Sequence, residues 1–277
     1  MPTGRRTVRT LTPPAMPPIF LARAVAFLGS MAPVKPVVLL MTEGARAFAR
    51  RKLGDAQGAL EAGEALLAHT LRVAESAGDV VVCVPPSSHL ALQLSREGKP
   101  FLKQSSGPLG ARVAAAMAAA ADLYPGRPLL LLGDDCPGLT EEHLAEAVEA
   151  LQAGAETVVG RAQDGGFWIL GLARYDATLA NQLAANVDWS TPRAFTSLRR
   201  FLQASFAGPM ALMLELADLD APSDLAAAVR AAETPTLKSA LAEVRPGRAL
   251  PRPDDEITLA PRGEHGVQSL FRGPPRA

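Results

Sequence analysis

The sequence has few cysteines and no long apolar run, and both features narrow the class of protein. Cys83 and Cys136 are the only cysteines among 277 residues. Two cysteines provide neither a disulfide framework nor a cysteine-based metal site. No stretch reaches the roughly 18 consecutive apolar residues that a membrane-spanning helix needs. We therefore expect a cytoplasmic protein with no membrane span.

Neither sign of charge is in excess, since 28 Lys and Arg residues balance 28 Asp and Glu residues. This balance gives no indication of a nucleic-acid partner, and we expect none. Aromatic residues make up only 5% of the chain, but hydrophobic residues make up 48%, enough for a sizeable core. Two phosphate-binding motifs are also missing: the sequence contains neither G-x-x-x-x-G-K-[ST] nor G-x-G-x-x-G after its first predicted strand.

Predicted strands and helices alternate from Lys35 to about Arg230, which is typical of parallel β-α-β units in an α/β fold. Apolar and β-branched runs predict strands over 37–40, 79–84, 128–132, 156–160, 166–172 and 210–216. Helical spacing predicts helices over 55–77, 110–123, 140–153, 192–205 and 222–232.

The two ends of the chain differ in composition from the predicted domain, which spans 35–243. Residues 1–34 contain several prolines and Arg23 within their apolar part, which argues against a signal peptide. We expect a poorly ordered extension there, with Met16 or Met31 as an alternative start. The Pro- and Arg-rich residues 244–277 are predicted to be a disordered tail.

An apolar run ends abruptly in two adjacent carboxylates, Asp134 and Asp135. A buried strand cannot bury these charges unpaired, so we expect it to deliver them to the rim of the sheet, where ligands of open α/β sheets bind. Two carboxylates on one loop favour a divalent cation such as Mg²⁺. The alternative, that they only favour the start of the next helix, remains open.

The segment after the first predicted strand is basic. Gly44 and four basic residues lie within nine positions, the basic ones being Arg46, Arg50, Arg51 and Lys52. Such a loop can bind phosphates through guanidinium and ammonium groups. Taken alone, the segment favours the alternative interpretation, which is the solvated start of a basic helix.

Three further motifs follow along the chain. Asp164-Gly165-Gly166 allows close approach to a ligand, although a tight hairpin turn explains it as well. Ser190 or Thr191 before Pro192 predicts a helix N-cap, and Trp189 beside it either stacks on a ring or staples the helix. Asp218 and Asp220 follow the last predicted strand, so either can face Asp135 across the sheet edge and complete a metal site.

In order and spacing, these motifs resemble those of the bacterial DUF2064 group of GT-A-fold transferases, which is related to guanylyltransferases of molybdenum-cofactor and F420 biosynthesis. The resemblance covers roughly Val37 to Ala232 and rests on Gly-Asp-Asp-Cys-Pro-Gly-Leu-Thr, Asp-Gly-Gly-Phe-Trp, Trp-Ser-Thr-Pro and Asp-Leu-Asp-Ala-Pro-Ser-Asp-Leu. It implies a Rossmann-like three-layer α/β/α fold with a mostly parallel sheet. It also implies a nucleotide or nucleotide-sugar substrate and a small-molecule acceptor.

The resemblance assigns roles to particular residues. Mg²⁺ or Mn²⁺ would be held by Asp135 and Asp220, and Asp164 is the candidate general base. Nucleotide-binding candidates are Gly44, Arg50, Lys52, Gln104, Gly110, Arg112 and Asp134. Candidates for the acceptor or sugar pocket are Gly165, Gly166, Trp189, Ser190 and Thr191.

The chain departs from the family pattern mainly in its first loop, where Thr42 replaces a lysine and only Arg50 and Lys52 keep the final basic pair. Pro108 and Ala111 replace an aspartate and a glutamate in the segment that contains Gln104 and Arg112. We therefore expect a metal-dependent transferase with a nucleotide-activated donor, and favour a glycosyltransferase. A nucleotidyltransferase and a catalytically degenerate scaffold remain alternatives, and the sequence does not indicate the oligomeric state.

Overall fold

The computed structural model describes residues 34–54, 56–86 and 88–245. Almost all of the predicted N-terminal extension and C-terminal tail lies outside these residues. At the C-terminal boundary, Val244 is buried and Arg245 pairs with Gln57 in an isolated antiparallel bridge. The described domain thus continues slightly past residue 243.

Seven strands form one sheet: β1 (Val37–Met41), β2 (Asp79–Val84), β3 (Phe101–Lys103), β4 (Leu129–Leu132), β5 (Thr157–Ala162), β6 (Phe167–Leu172) and β7 (Met210–Leu216). Their order across the sheet is β3-β2-β1-β4-β6-β5-β7. All neighbouring pairs are parallel except the two made by β6, which runs antiparallel to β4 and β5. The predicted mostly parallel sheet is confirmed.

The helices are α1 (Ala45–Phe48), which continues as a π-helical turn (Ala49–Leu53), α2 (Ala59–Ala77), α3 (His89–Arg96), α4 (Leu109–Leu123), α5 (Glu141–Gln152), α6 (Ala177–Asn186), α7 (Ala194–Ser205), α8 (Leu225–Ala231) and α9 (Pro235–Glu243). A 3₁₀ turn, Pro222–Asp224, precedes α8. No helix in the described ranges is both long and apolar enough to cross a bilayer.

Most residues of β1, β2, β4, β5 and β6 are buried because helices cover each side of the sheet, whereas the edge strands β3 and β7 are more exposed. Alternate strand residues such as Leu39 and Leu131 pack with α4, α6 and α7. Their neighbours, such as Leu40 and Leu132, pack with α2 and α5. This is the predicted three-layer α/β/α arrangement, built on the near-continuous apolar strands that such layers require.

Several elements differ from the sequence prediction. The second helix begins at Ala59 rather than at residue 55, after Gly58 in a left-handed conformation. The helix predicted over 222–232 is divided into the 3₁₀ turn and α8. α1 with its π-helical turn agrees with the interpretation of the basic segment as the start of a helix, whereas α3, β3, α6 and α9 were not predicted.

The prediction that Ser190 or Thr191 caps a helix opened by Pro192 is wrong. α7 begins at Ala194, and the residue before it, Arg193, makes no side-chain capping bond. The Thr191 hydroxyl accepts a hydrogen bond from the Arg193 amide at 3.2 Å and donates one to the Asp188 carbonyl at 2.8 Å. Both bonds stabilise a tight turn ahead of the helix, which delays the helix by two residues.

Gly160 on β5 has no room for a side chain because the Trp168 indole of β6 lies against it. A Cβ at Gly160 would lie 2.3 Å from Trp168 Cε2. The indole is buried and its Nε1 donates a hydrogen bond to the Leu214 carbonyl at 3.0 Å, which holds the ring in place.

We therefore expect Gly160→Ala to lower the free energy of unfolding by about 1–3 kcal/mol through overpacking. Chemical denaturation measures the change. In a double-mutant cycle with Trp168→Phe, the smaller ring should relieve part of the clash, so the two effects should not add. If the two changes in the free energy of unfolding simply add, the proposed clash between the Gly160 Cβ and the Trp168 ring is contradicted.

Candidate active site

The candidate site lies at the edge of the sheet where the parallel strands end. Loops following β1, β4, β5 and β7 carry Thr42, Asp134–Asp135, Asp164 and Asp218–Asp220 respectively. The antiparallel β6 returns from this edge, so the Asp164 turn is the β5–β6 hairpin connection. The turn interpretation and the ligand-site interpretation of Asp164-Gly165-Gly166 are therefore compatible.

Asp135 and Asp220, the two predicted metal ligands, approach the same ammonium group. Lys52 Nζ contacts the Asp220 carboxylate and lies 3.5 Å from Asp135 Oδ2. The Lys52 side chain is only 4% exposed, whereas its partners are 33% and 38% exposed. A main-chain bond from the Leu219 amide to the Asp135 carbonyl, 2.8 Å long, joins the two loops. Two carboxylates from distant parts of the chain thus meet around the ammonium group of Lys52.

Asp164 and Asp218 join Asp220 in a second cluster on the same edge. One carboxylate oxygen from each of the three lies within 4.8 Å of the others. Desolvation, and then the charge of Asp164, raise the pKa of Asp218 to about 6. This cluster concentrates negative charge that a bound cation would neutralise.

Asp134 lies on the other side of the site, next to the loop after β1. The Thr42 hydroxyl donates a hydrogen bond to Asp134 Oδ2 and accepts one from the Gly44 amide at 2.8 Å. Thr42 is buried. Although Asp134 lines a cavity, desolvation raises its pKa to about 7, and the nearby charge of Asp135 adds to the rise. Gly44 therefore acts through its backbone, by orienting Thr42.

The loops enclose a cavity of about 470 Å³, a size that suits a small-molecule ligand. Among the predicted residues, the cavity is lined by Gln104, Arg112, Asp134, Asp135, Asp164, Gly166, Trp189, Ser190 and Thr191. Phe167 and Trp189 form part of the wall and meet edge to face, with ring centroids 5.7 Å apart. Such a wall can hold the flat face of a base or a sugar.

Gln104 holds Arg112 in the wall of this cavity. The Gln104 amide donates to the carbonyls of Thr42 and Cys83, at 2.7 and 2.6 Å. Its oxygen accepts a hydrogen bond from Arg112 Nη1 at 2.8 Å. Arg112 Nε has no hydrogen-bond partner within the described part of the chain. Gln104 thus ties the ends of β1 and β2 together and orients a guanidinium toward the cavity.

The structure places Arg51, rather than Arg50, in the wall of the cavity. Its guanidinium makes two hydrogen bonds from Nε to the Glu43 carboxylate, at 2.7 and 3.0 Å, and Nη2 contacts the same group. Glu43 holds the pKa of Arg51 above its usual range. Arg50 is exposed. Spacing alone did not distinguish these adjacent arginines, because this turn is π-helical rather than α-helical.

Two of the predicted ligand-binding glycines have packing roles instead. A Cβ at Gly110 would lie 2.5 Å from Trp189 Nε1, so this glycine makes room for the indole that lines the cavity. Gly165 has φ 91° and its Cβ position lies 2.2 Å from the Pro192 carbonyl oxygen. Neither residue lines the cavity, and both shape it through their neighbours. Gly166, by contrast, lines the cavity and donates its amide to Asp164 Oδ1 at 2.6 Å.

The donor set fits a hard divalent cation. Every side chain in the two clusters offers carboxylate oxygen, which is the ligand that Mg²⁺ and Mn²⁺ prefer. Cys136 is buried beside Asp135, and burial raises the pKa of its thiol well above the usual range, so it does not offer a thiolate. Lys52 is the one feature of the donor set that opposes a bound cation.

The sequence and the fold were compared with known proteins. The model of the family DUF2064, described as "uncharacterized protein conserved in bacteria", matches residues 66–191. The resemblance is thus confirmed over a stretch that contains Gln104, Asp135, Asp164 and Trp189, but neither the first loop nor Asp220. No curated protein matches the sequence.

The fold is similar to that of a candidate nucleotide-diphospho-sugar transferase from Desulfovibrio desulfuricans G20. The two proteins are 17% identical, the match covers 76% of this chain and 95% of the other, and the TM-score is 0.63. A manganese complex of Rv0371c from Mycobacterium tuberculosis H37Rv is 17% identical over 68% of this chain and 93% of its own, with a TM-score of 0.41. At these identities, the first similarity supports the predicted nucleotide-diphospho-sugar transferase fold.

The raised pKa of Asp134 has a consequence for stability. In the folded state Asp134 keeps its proton up to about pH 7, whereas in the unfolded chain it ionises near pH 4. Over this range the unfolded state binds fewer protons, so the wild-type protein loses stability as the pH rises. Asp134→Asn removes the ionisation and keeps an oxygen that can accept the Thr42 hydrogen bond.

We expect the free energy of unfolding of Asp134→Asn, relative to wild type, to increase between pH 4 and 7. The gain should be on the order of 2 kcal/mol after allowance for solvent in the cavity. Urea denaturation at several pH values, without divalent cations, measures it. The exposed Asp122→Asn is the control, and a difference from wild type that does not vary with pH would refute the assignment.

Proposed function

We propose that the protein is a metal-dependent transferase that uses a nucleotide-activated donor and a small-molecule acceptor, and that it transfers a glycosyl group. The observation that carries the proposal is the convergence of Asp135, Asp164, Asp218 and Asp220 beside one cavity of about 470 Å³. Similarity of fold to a candidate nucleotide-diphospho-sugar transferase supports it.

The walls of the cavity suit the two parts of such a donor. The Phe167–Trp189 pair offers an aromatic surface for a ring, and Arg112 offers an oriented guanidinium for a phosphate. Arg51 lies on the same wall with its charge shared by Glu43. Base and diphosphate can thus be held by different residues of this chain.

Asp135 and Asp220, with Asp164 and Asp218 nearby, would hold the cation. When bound there, it would neutralise the donor's diphosphate and stabilise the charge on the leaving group. Asp164 is suited to accept a proton from an acceptor hydroxyl, because it is exposed at the cavity and fixed by the Gly166 amide at 2.6 Å. Its neighbour Asp218, with a pKa raised to about 6, can retain a proton in slightly acidic solution and so relieve the repulsion between them.

Glycosyl transfer is favoured over nucleotidyl transfer by the state of the loop after β1. A triphosphate requires much positive charge there, but Glu43 neutralises Arg51, and Thr42 stands where the family that the sequence resembles has a lysine. A diphosphate donor requires less positive charge from the same loop. The nucleotidyl reaction therefore remains the second candidate.

Binding can be tested by thermal-shift screening and calorimetry with nucleotide sugars and nucleoside triphosphates, each with and without Mg²⁺ or Mn²⁺. A true ligand at a hundredfold excess over its Kd should stabilise the protein by about 2.7 kcal/mol. Asp135→Ala should abolish the divalent-dependent part, whereas Asp122→Ala, on the exposed face of α4, should leave it intact. Unchanged nucleotide affinity in Asp135→Ala would refute the metal-dependent donor site.

The product identifies the reaction. Glycosyl transfer releases a nucleoside diphosphate, whereas nucleotidyl transfer releases pyrophosphate. We expect the diphosphate, with Asp164→Asn reducing kcat by about 100-fold or more while donor binding persists. Release of pyrophosphate would support the alternative reaction, and the absence of any ligand-induced shift would favour the catalytically degenerate scaffold.

A further inference from the structure

Lys52 lies beside the two carboxylates that are proposed to hold the cation, and its positive charge partly offsets theirs. It belongs to the π-helical turn Ala49–Leu53, a kind of turn that is often found at functional sites. Its Nζ contacts Asp220 and lies 3.5 Å from Asp135 Oδ2, and the side chain is almost wholly buried. Lys52 itself does not line the cavity, whereas Asp135 does.

An ammonium group and a divalent cation cannot both lie between the same two carboxylates. Coulomb repulsion between them at about 4 Å is large in any environment less polar than water. If Asp135 and Asp220 are to share a divalent ion, Lys52 must first leave them. Its flexible four-carbon stem allows such a movement, and phosphate is a suitable new partner for its charge.

We propose that Lys52 competes with the divalent cation for Asp135 and Asp220, and that phosphate binding relieves this competition. Without phosphate, Lys52 pairs with the two carboxylates and weakens cation binding. With phosphate present, Lys52 pairs with the phosphate and releases them. The inference rests on the proposed function, because it assumes that both ligands bind at this edge of the sheet.

The competition makes the two binding events reciprocal, since any effect of phosphate on cation affinity requires an equal effect of the cation on phosphate affinity. It also separates the role of Lys52 from that of an ordinary phosphate ligand. Removing an ordinary phosphate ligand leaves the affinity for the cation alone unchanged. Removing a competitor increases that affinity.

The experiment is a titration of the full-length protein with Mn²⁺, with free Mn²⁺ followed by electron paramagnetic resonance. Lys52→Met should bind Mn²⁺ about tenfold more tightly than wild type in the absence of phosphate. Arg51→Met is the matched control: it removes one positive charge from the adjacent residue but leaves Lys52 on its two aspartates. An equal gain in Mn²⁺ affinity in both variants would show that the effect comes from net charge alone, and would overturn the proposal.

Inorganic phosphate tests the second half of the proposal, with protein-free samples correcting for its own binding of Mn²⁺. Phosphate should tighten Mn²⁺ binding to wild type severalfold and should have little effect on Lys52→Met. Equal tightening in both proteins would overturn the coupling. If none of the proteins binds Mn²⁺ under any condition, the proposed function fails as well, whereas tight wild-type binding that Lys52→Met leaves unchanged refutes only the competition.

A measurement on the wild-type protein guards against a variant that does not fold. The sequence contains five lysines, so ¹³Cε-labelled lysine gives a simple NMR spectrum in which the Lys52 signal is assigned by substituting each of the other four. Saturation with Mg²⁺ should move the Lys52 signal toward that of a solvent-exposed lysine and leave the others in place. A Lys52 signal that does not move at saturation would overturn the proposal.

Discussion

The candidate site depends on how negative charge is balanced at one edge of the sheet. The fold brings Asp135, Asp164, Asp218 and Asp220 together because the strands that precede them run in the same direction. Like charges at such short range are costly unless something neutralises them. Lys52 offsets part of the negative charge of Asp135 and Asp220. In the other pair, desolvation and then the charge of Asp164 raise the pKa of Asp218.

The balance of charge also explains how the polar side chains of the loop after β1 are paired. Thr42 donates a hydrogen bond to Asp134, while desolvation raises the pKa of this carboxyl. A protonated Asp134 needs no ammonium group beside it. Glu43 and Arg51 form a separate neutral pair on the same wall. The polar side chains of this loop are thus paired with their neighbours.

Strong local patterns made much of the fold predictable. The run Leu129–Leu132 followed by two aspartates fixed both a buried strand and the position of its charges, and the strand over 210–216 was predicted to the residue. Parallel topology predicted that Asp218 or Asp220 would face Asp135, and the family resemblance selected Asp220. Elements with weak patterns were missed, because β3 has three residues and the π-helical turn has no spacing that sequence analysis recognises.

Some predicted site residues do not line the cavity, because sequence motifs give positions along the chain but not directions of side chains. The sequence indicated Gly110 and Gly165 as ligand contacts. In the structure, Gly110 leaves room for the Trp189 indole, and Gly165 leaves room for the Pro192 carbonyl. Arg50 and Arg51 are both exposed, but Arg51 lines the cavity and pairs with Glu43, whereas Arg50 does not line it.

Lys52 extends this argument to function. The sequence identified it as a cation for phosphate, and the structure shows it bound to the carboxylates that are expected to hold a metal. If phosphate and the divalent ion bind together, Lys52 pairs with the carboxylates before they bind and with the phosphate afterwards. Asp135 and Asp220 would then have a positive partner in both states, namely Lys52 before the ligands bind and the divalent ion afterwards. Electrostatics then favours the complete set of ligands over either one alone.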